Sequence, residues 1–453
     1  MIRLKLFKRE TPSLLQGPIW KPMLLFVLPV AASSILQQLF TSADMAVVGR
    51  FEGKQALAAV GGTSTIVNLF IEFFLGLSIG ANVLISRHIG EGNEKSANDT
   101  VHTAIASALL CGGLIALIGI PLTERLLTAM KTPADILPLS AIYLKIYFAG
   151  MPVYMLGNFA AAIFRSRGEP QKPLYCLCAG GVINVALNLL FVVGFHWGVA
   201  GVAAATVAAN MLSAGLMVYL LTREKGCLCL DIRRIRLHGV IFLRLLKLGL
   251  PSGFLGSVFS ISNVCVQSAI NSLGADVMSA SSAAVNVEIY IQFVGNAFAQ
   301  AATTFTGQNY GAKNYDRCRR VTRIAMGLCV SISTVLSAAA YLAGPALLGI
   351  FVADAAVIAL AMIRMKYTLL FKPIQAMMDI MVGCLQGYGY TFVPALISIF
   401  GVCGLRLLWL YTLFAAAPSL DRLMLVYPIT QGIAVLLHSA CYFRLHRKFS
   451  ISS

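Results

Sequence analysis

Residues 23–49, MLLFVLPVAASSILQQLFTSADMAVVG, hold one charged side chain, Asp44. About 20 mostly apolar residues suffice for a helix to cross the hydrocarbon core of a bilayer, so this run reads as a membrane span. An ionised carboxylate at the middle of such a helix costs on the order of 2.5–3.5 kcal/mol by insertion scales. Asp44 must therefore face away from lipid, and its retention asks for a reason.

Working outward, the rest of the chain repeats the pattern. It is 58% hydrophobic and 12% charged, half the charge of an ordinary soluble protein at about 25%. Roughly twelve blocks reach spanning length: 23–49, 56–84, 101–122, 136–164, 174–195, 198–221, 241–270, 277–305, 322–348, 355–385, 392–415 and 424–443. The fold class is all-α, a polytopic bundle of twelve transmembrane helices. Barrel strands would alternate polar and apolar over about 9–11 residues, and these blocks do not.

The net charge of +17 is a matter of topology. Arg3, Lys5, Lys8, Arg9 and Lys21 precede the first span. Arg223, Lys225, Arg233, Arg234, Arg236, Arg244 and Lys247 surround the junction of the sixth and seventh. Lys313, Arg317, Arg319, Arg320 and Arg323 follow the eighth, and Arg444, Arg447 and Lys448 follow the last. With Arg87, Lys95, Arg165, Arg167 and Lys172 they fall on one set of alternating ends. The opposite ends hold Arg50, Lys54, Arg125, Lys131 and Arg422. The positive-inside rule then puts both termini in the cytoplasm of a cytoplasmic (inner) membrane protein. No basic patch is interleaved with stacking aromatics, so no nucleic-acid partner is expected. The basic start runs straight into a full-length span, so no cleavable leader is expected either. The 11 cysteines lie mostly inside apolar blocks, and Cys176-x-Cys178 and Cys227-x-Cys229 lack partners at zinc spacing. No cofactor is expected.

The chain is written twice. Leu28-Pro29 matches Leu250-Pro251, and Gly53, Gly90, Lys145, Pro152, Gly168 and Pro173 match Gly274, Gly311, Lys366, Pro373, Gly389 and Pro394. This implies an N-terminal six-helix lobe over 1–222, a charged cytoplasmic connector over 223–240 and a C-terminal six-helix lobe over 241–453. An even number of spans per half inserts both halves the same way, related by an axis along the membrane normal. Pro29 and Pro251 fall early in the first helix of each half and favour kinks, as do Pro152 and Pro373 in each fourth helix. Such prolines either shape the bundle or, at Pro29, mark a helix that bends during transport.

Four acids fall inside apolar blocks: Asp44, Glu72, Glu288 and Asp379. Glu72, in NLFIEFFLG, reads as near enough to a helix end to reach the interface. In GGVINVALNLLFV, Asn184 and Asn188 are four apart and share a helix face, as do Thr206 and Asn210 in GVAGVAAATVAANML. Amides and hydroxyls among small residues are packing glue in many bundles. Beside Asp44 they make a polar pocket able to hold a proton or a sodium ion. Asn158 stands at the position in the first half that Asp379 occupies in the second. Glu288 and Asp379 are the cavity candidates of the C-terminal lobe.

Taken together, these stretches resemble the multidrug and toxic compound extrusion (MATE) transporters, on the prokaryotic, DinF-like side. LPVAASSILQQLFTSADMAVVGR, ALAAVG, AIFRSRGEPQKP, GVAGVAAAT, FTGQNYGAKNYDR and CLQGYGYTFVP carry the likeness in order along the chain. The resemblance implies two lobes around a central cavity and efflux of cationic or amphipathic small molecules against re-entry of protons or sodium. It also implies a cation site in the N-terminal lobe, whose matching positions are Asp44, Asn158, Asn184, Asn188 and Thr206. Many members carry a second Asp where this chain has Asn188; with one carboxylate fewer, coupling to a single proton through Asp44 is the preferred expectation. Residues 250–270 contain no carboxylate, so the branch with an acidic seventh helix finds no match. A monomer is the default.

A flippase for lipid-linked sugars is the alternative on the same fold. Its pyrophosphate substrate would need a cationic cavity, for which Lys145, Lys366, Lys372 and Arg406 are the candidates. An intramembrane enzyme would need clustered catalytic groups, and His88, His238 and His446 are scattered. A channel would need rings of ligands with several-fold symmetry, which two unequal halves do not provide.

Overall fold

A computed structural model describes residues 14–130 and 132–451. Arg3, Lys5, Lys8, Arg9 and Lys131 lie outside the described residues, as do the side chains of His446, Arg447 and Lys448. Every regular element among the described residues is helical: α1 (Trp20–Phe51), α2 (Gly53–Gly90), α3 (Glu94–Ala129), α4 (Leu137–Ala149), α5 (Met151–Arg167), α6 (Gln171–Asn188) and α7 (Gly198–Arg223) in the first half. The second half holds α8 (Gly239–Asn271), α9 (Ala275–Gly311), α10 (Tyr315–Leu342), α11 (Gly344–Leu348), α12 (Ala355–Leu369), α13 (Lys372–Gly387), α14 (Phe392–Ser398), α15 (Leu405–Trp409), α16 (Leu420–Met424) and α17 (Val426–Ile451). π-helical turns extend α6 over Leu189–Gly194 and flank α15 over Ile399–Gly404 and Leu410–Phe414.

Among the described residues ten helices are long and apolar enough to cross a membrane singly, and α4 and α5 make an eleventh span, bent by 48° at their junction. The twelfth expected block, 355–385, holds the shorter helices α12 and α13. Pro152 and Pro373 sit in the first turn of α5 and α13, where a missing N–H leaves no hydrogen bond unmade. At Pro152 the expected kink takes the form of a break, where the span bends by 48°. Pro29 lies inside an uninterrupted α1, and the Ser33 hydroxyl one turn later donates to its carbonyl at 2.8 Å.

The repeat seen in the residues is also a repeat of backbone geometry. Gly53 and Gly274 both hold left-handed φ, +83° and +109°, and Gly168 and Gly389 hold +91° and +84°. The turn after α2 uses Gly92 at φ +68°, and the turn after α9 uses Lys313 at +57°. In each case an asparagine then caps the next helix. Asn93 Oδ1 accepts from Ser96 N at 3.0 Å, and Asn314 Oδ1 from Arg317 N at 3.2 Å. A side-chain acceptor at this position satisfies one of the free N–H groups of the first turn.

The halves meet where glycine removes the side chain. α2 carries Gly76 and Gly80, and α8 carries Gly249 and Gly253, both in the GxxxG spacing that lets helices approach closely. A Cβ on Gly76 would lie 2.3 Å from Gly253 N, and one on Gly249 would lie 2.5 Å from Leu77 O. The last turns of α2 and α9 also cross. A Cβ on Gly90 would fall 1.9 Å from Gln308 O, and one on Gly311 would fall 2.1 Å from Arg87 O. Asn82 Nδ2 donates to Thr304 Oγ1 at 3.0 Å, and Gln308 Nε2 donates to Ser166 O at 2.7 Å. On the other flank, Phe26 of α1 packs edge-on against Phe305 of α9, centroids 6.0 Å apart. All these contacts lie between the basic ends of the helices and the level at which Glu72 of α2 abuts Gly256 of α8.

Two further segments fasten the basic end. The stretch between α7 and α8 docks on α3: Asn98 Nδ2 donates to Cys227 O and Cys229 O at 3.2 and 2.7 Å, and Asp231 N donates to His102 Nε2 at 3.1 Å. Residues 14–17, ahead of α1, reach across to α10. Arg317 donates from Nε, Nη1 and Nη2 to the carbonyls of Leu14, Gly17 and Gln16 at 3.2, 2.9 and 3.0 Å.

Candidate functional site

The polar cluster of the first half forms where α1, α6 and α7 converge. Two glycines make the convergence possible. The ring of Phe40 on α1 lies against Gly181, where a Cβ would be 1.8 Å from it, and Ser213 of α7 lies against Gly180, where a Cβ would be 2.0 Å from Oγ. One turn beyond these glycines α6 presents Asn184 and then Asn188, both buried. Asn188 Nδ2 donates to Asp44 Oδ1 and also reaches Asn184 Oδ1 at 3.4 Å. Thr206 Oγ1 of α7 lies 3.1 Å from Asp44 Oδ2 and 3.0 Å from Val202 O, so its single proton is shared between them. Tyr143 and Tyr147 of the neighbouring α4 stack with centroids 6.1 Å apart. Directly after Asn188 the helix opens into its π-helical turn, a feature that often accompanies functional positions.

The structure thus brings four of the five expected residues together. The fifth, Asn158, is not among them: its Nδ2 donates to Tyr154 O, one turn back in α5, at 2.9 Å. Pairing Asn158 with Asp379 by the repeat located its helix correctly and said nothing of where its amide would bond. Within the cluster, Asn188 Oδ1 is buried and has no hydrogen-bond partner. An orphaned amide oxygen beside a carboxylate, Asn184 Oδ1 and Thr206 Oγ1 is a donor set suited to a proton or a small hard cation.

The second half uses its acids differently. Glu288 of α9 is gripped by Arg364 of α12, whose Nε and Nη2 donate to its two carboxylate oxygens at 3.2 Å each, while Nη1 donates to Ser281 Oγ at 2.7 Å. Thr368 Oγ1 adds a bond to Glu288 at 2.5 Å. Arg364 and Glu288 are both buried, so Glu288 is corrected from an open cavity acid to one half of an internal ion pair. Arg364 lies inside the block 355–385 and was not singled out by the sequence reading, which followed the acids. The acid at 288 was its only available signal.

Asp379 of α13 lies beside Gln292 and Gly295 of α9, and Lys372 Nζ donates to the same Gln292 at 2.6 Å. Glu72 corrects a second expectation. It sits at the middle of α2, not near an end, and its side chain is exposed where α2 and α8 part at Gly256. Of the four basic candidates, Lys145 pairs with Glu124 at 2.7 Å, Lys366 lies over the Tyr367 ring, Lys372 serves Gln292, and Arg406 is buried.

A family model described as MatE matches residues 29–190 and then, 222 positions later, residues 251–412. The chain belongs to the MatE family. The doubled MatE match falls on the two halves that share turns and caps. Among known proteins, the probable multidrug resistance protein YoeA of Bacillus subtilis is 28% identical over 406 residues, covering 88% of this chain and 87% of its own. YpnP of the same organism, also named a probable multidrug resistance protein, is 30% identical over 305 residues, 67% of each. A solved MATE family transporter of the MOP superfamily, in an outward-facing conformation, superposes with a TM-score of 0.89 over 98% of both chains at 21% identity. That likeness gives this MatE chain its fold, an all-helical one.

Proposed function

We propose that this chain is a secondary active exporter of cationic or amphipathic small molecules, driven by a proton that Asp44 carries. The observation that carries the reading is the buried, partnerless Asn188 Oδ1 beside the Asp44 carboxylate. While Asp44 is ionised, Asn188 presents Nδ2 to it. Once Asp44 is protonated, its O–H can donate to Oδ1, so the amide turns over and the packing of α6 on α1 changes with it. A group that binds differently in two states shifts their balance by that difference.

On this reading the lobes 1–222 and 241–453 rock about the glycine contacts at the basic, cytoplasmic end, with 223–240 as their connector and Pro29 as a bending point in α1. Glu72, exposed on the wall where the lobes part, draws a cationic substrate by charge. The names of the Bacillus relatives support efflux. The flippase alternative finds less support, because Lys145 is paired with Glu124 and Lys366 lies over the Tyr367 ring. The protein acts as a monomer in the cytoplasmic membrane, without cofactor.

The test is dye efflux from energised proteoliposomes. Asp44→Asn, which keeps the shape of the side chain but replaces one acceptor oxygen by an NH2 and cannot take up a proton, abolishes efflux driven by a pH gradient while leaving dye binding in place. Coupled efflux at the wild-type rate would remove Asp44 from the mechanism. Varying sodium at fixed pH, and pH at fixed sodium, identifies the ion.

A further inference from the structure

The helices of the second half that correspond to α1, α6 and α7 are α8, the segment α14–α15 and α17. In the first half this trio encloses a carboxylate. In the second half it encloses a guanidinium. Arg406 of α15 is only 3% exposed. Its Nη1 donates to Asn263 Oδ1 of α8 at 3.2 Å, and its plane lies over the rings of Tyr427 on α17 and Phe259 on α8, 4.7 and 5.7 Å from their centroids. Tyr427 stands 221 positions after Thr206, the residue that faces Asp44. Positions 265 and 266, opposite Asp44 in the repeat, are Cys and Val. No carboxylate pairs with Arg406 among the described residues, and its Nε has no partner at all. Ser262 Oγ, adjacent to Asn263, is likewise buried and without a hydrogen-bond partner.

A buried guanidinium held only by a neutral amide and two ring faces is poorly compensated. Cation–π contacts recover part of the lost hydration, but an ion taken out of water still carries a penalty of several kcal/mol. The contrast with Arg364 in the same half is direct, since that guanidinium donates to a carboxylate from Nε and Nη2 and to a hydroxyl from Nη1. Arg406 also lies between two π-helical turns, which leave a helix locally widened. Its route to the outside is Asn263: Phe259 is one turn along α8 from Gly256, the residue that abuts Glu72, and Asn263, one turn further, is exposed.

We propose that Arg406, with Asn263 and Ser262, is a subsite of the second half that takes the carboxylate of an amphoteric substrate, a flat amphipath bearing both an amine and a carboxylate. The Arg406 Nε–H and the Ser262 hydroxyl donate to the carboxylate oxygens, and Asn263 turns to expose the guanidinium. Phe259 and Tyr427 pack against the ring system that carries the acid. The amine is then left on the side of the cleft where Glu72 lies. This deepens the efflux reading above and rests on it.

The experiment uses two dyes that differ only at this group: rhodamine 110, with a free benzoate, and rhodamine 123, its methyl ester. Binding to the purified full-length chain in nanodiscs is followed by fluorescence anisotropy without any ion gradient. Arg406→Gln should weaken rhodamine 110 at least tenfold and leave rhodamine 123 within twofold, and Arg406→Lys should restore part of the loss. Unchanged ester binding reports that the variant is folded. Equal weakening of both dyes, or of neither, overturns the carboxylate subsite while leaving efflux standing. If the wild-type chain binds the ester well and the acid poorly, the subsite is also overturned. If it binds and moves neither dye, the efflux reading falls and this one with it.

Discussion

Asp44 and Glu288 show two ways of keeping a carboxylate inside a membrane bundle. Asp44 is surrounded by neutral groups, Asn188, Thr206 and Asn184, that can follow its charge as it changes. Glu288 is fixed by a guanidinium that never releases its proton at physiological pH, and so it holds α9 to α12. The consequences of mutation differ accordingly. Glu288→Gln leaves Arg364 buried without a counter-charge, and removing one partner of such a pair costs about 3–5 kcal/mol. A large fall in melting temperature in detergent is expected, substantially repaired by adding Arg364→Met. A double variant no more stable than the single one would contradict the pairing. At Asn188 the expected change is a gain. Asn188→Asp puts two carboxylates in contact, and like charges that close ionise together only if a cation lies between them. Efflux should become sodium-dependent at fixed pH; no dependence would count against a single-proton site in the wild type.

At the scale of the helix, the crossing of α2 and α9 is the contact with least tolerance. Nothing but hydrogen fits at Gly90, because Gln308 O already occupies the space a methyl would need. Gly90→Ala therefore pushes the two helix ends apart and biases the molecule towards the state in which its basic ends separate. Amide hydrogen exchange should rise in 82–90 and 305–311 and stay unchanged in α6, far from the crossing. Protection identical to wild type in those segments would show that the crossing is not a gate. The broken helices α4–α5 and α12–α13 belong to this scale too. Their prolines were visible in the sequence, but the breaks fall two residues ahead of them, at the N-caps Gly150 and Phe371.

Over the whole molecule, what could be read beforehand was what a bilayer forces on a chain. Spans follow from the absence of charge, the doubling from glycine and proline positions that fix φ, and the importance of Asp44 from its isolation among apolar residues. What could not be read was which groups would meet. Arg364 was not singled out, Asn158 was matched by family resemblance to a cluster that its hydrogen bond to Tyr154 O does not join, and Glu72 was placed near an end although it lies 12 residues inside the end of its block, 56–84. Side-chain partnerships between distant spans are set by how the helices are rotated about their axes, and a pattern of hydropathy leaves that rotation free. The same limit hid Arg406, whose environment depends on α8 and α17 together.

The hold of Arg317 on three carbonyls ahead of α1 has a practical side. A short strap from one half is buckled to the other, so the basic face cannot open until the buckle slips or α1 is dragged along. Any handle fused upstream of that strap pulls on the buckle directly. Turnover measured on a protein tagged there would report the tether as well as the transporter, and a tag at the far end of the chain would not.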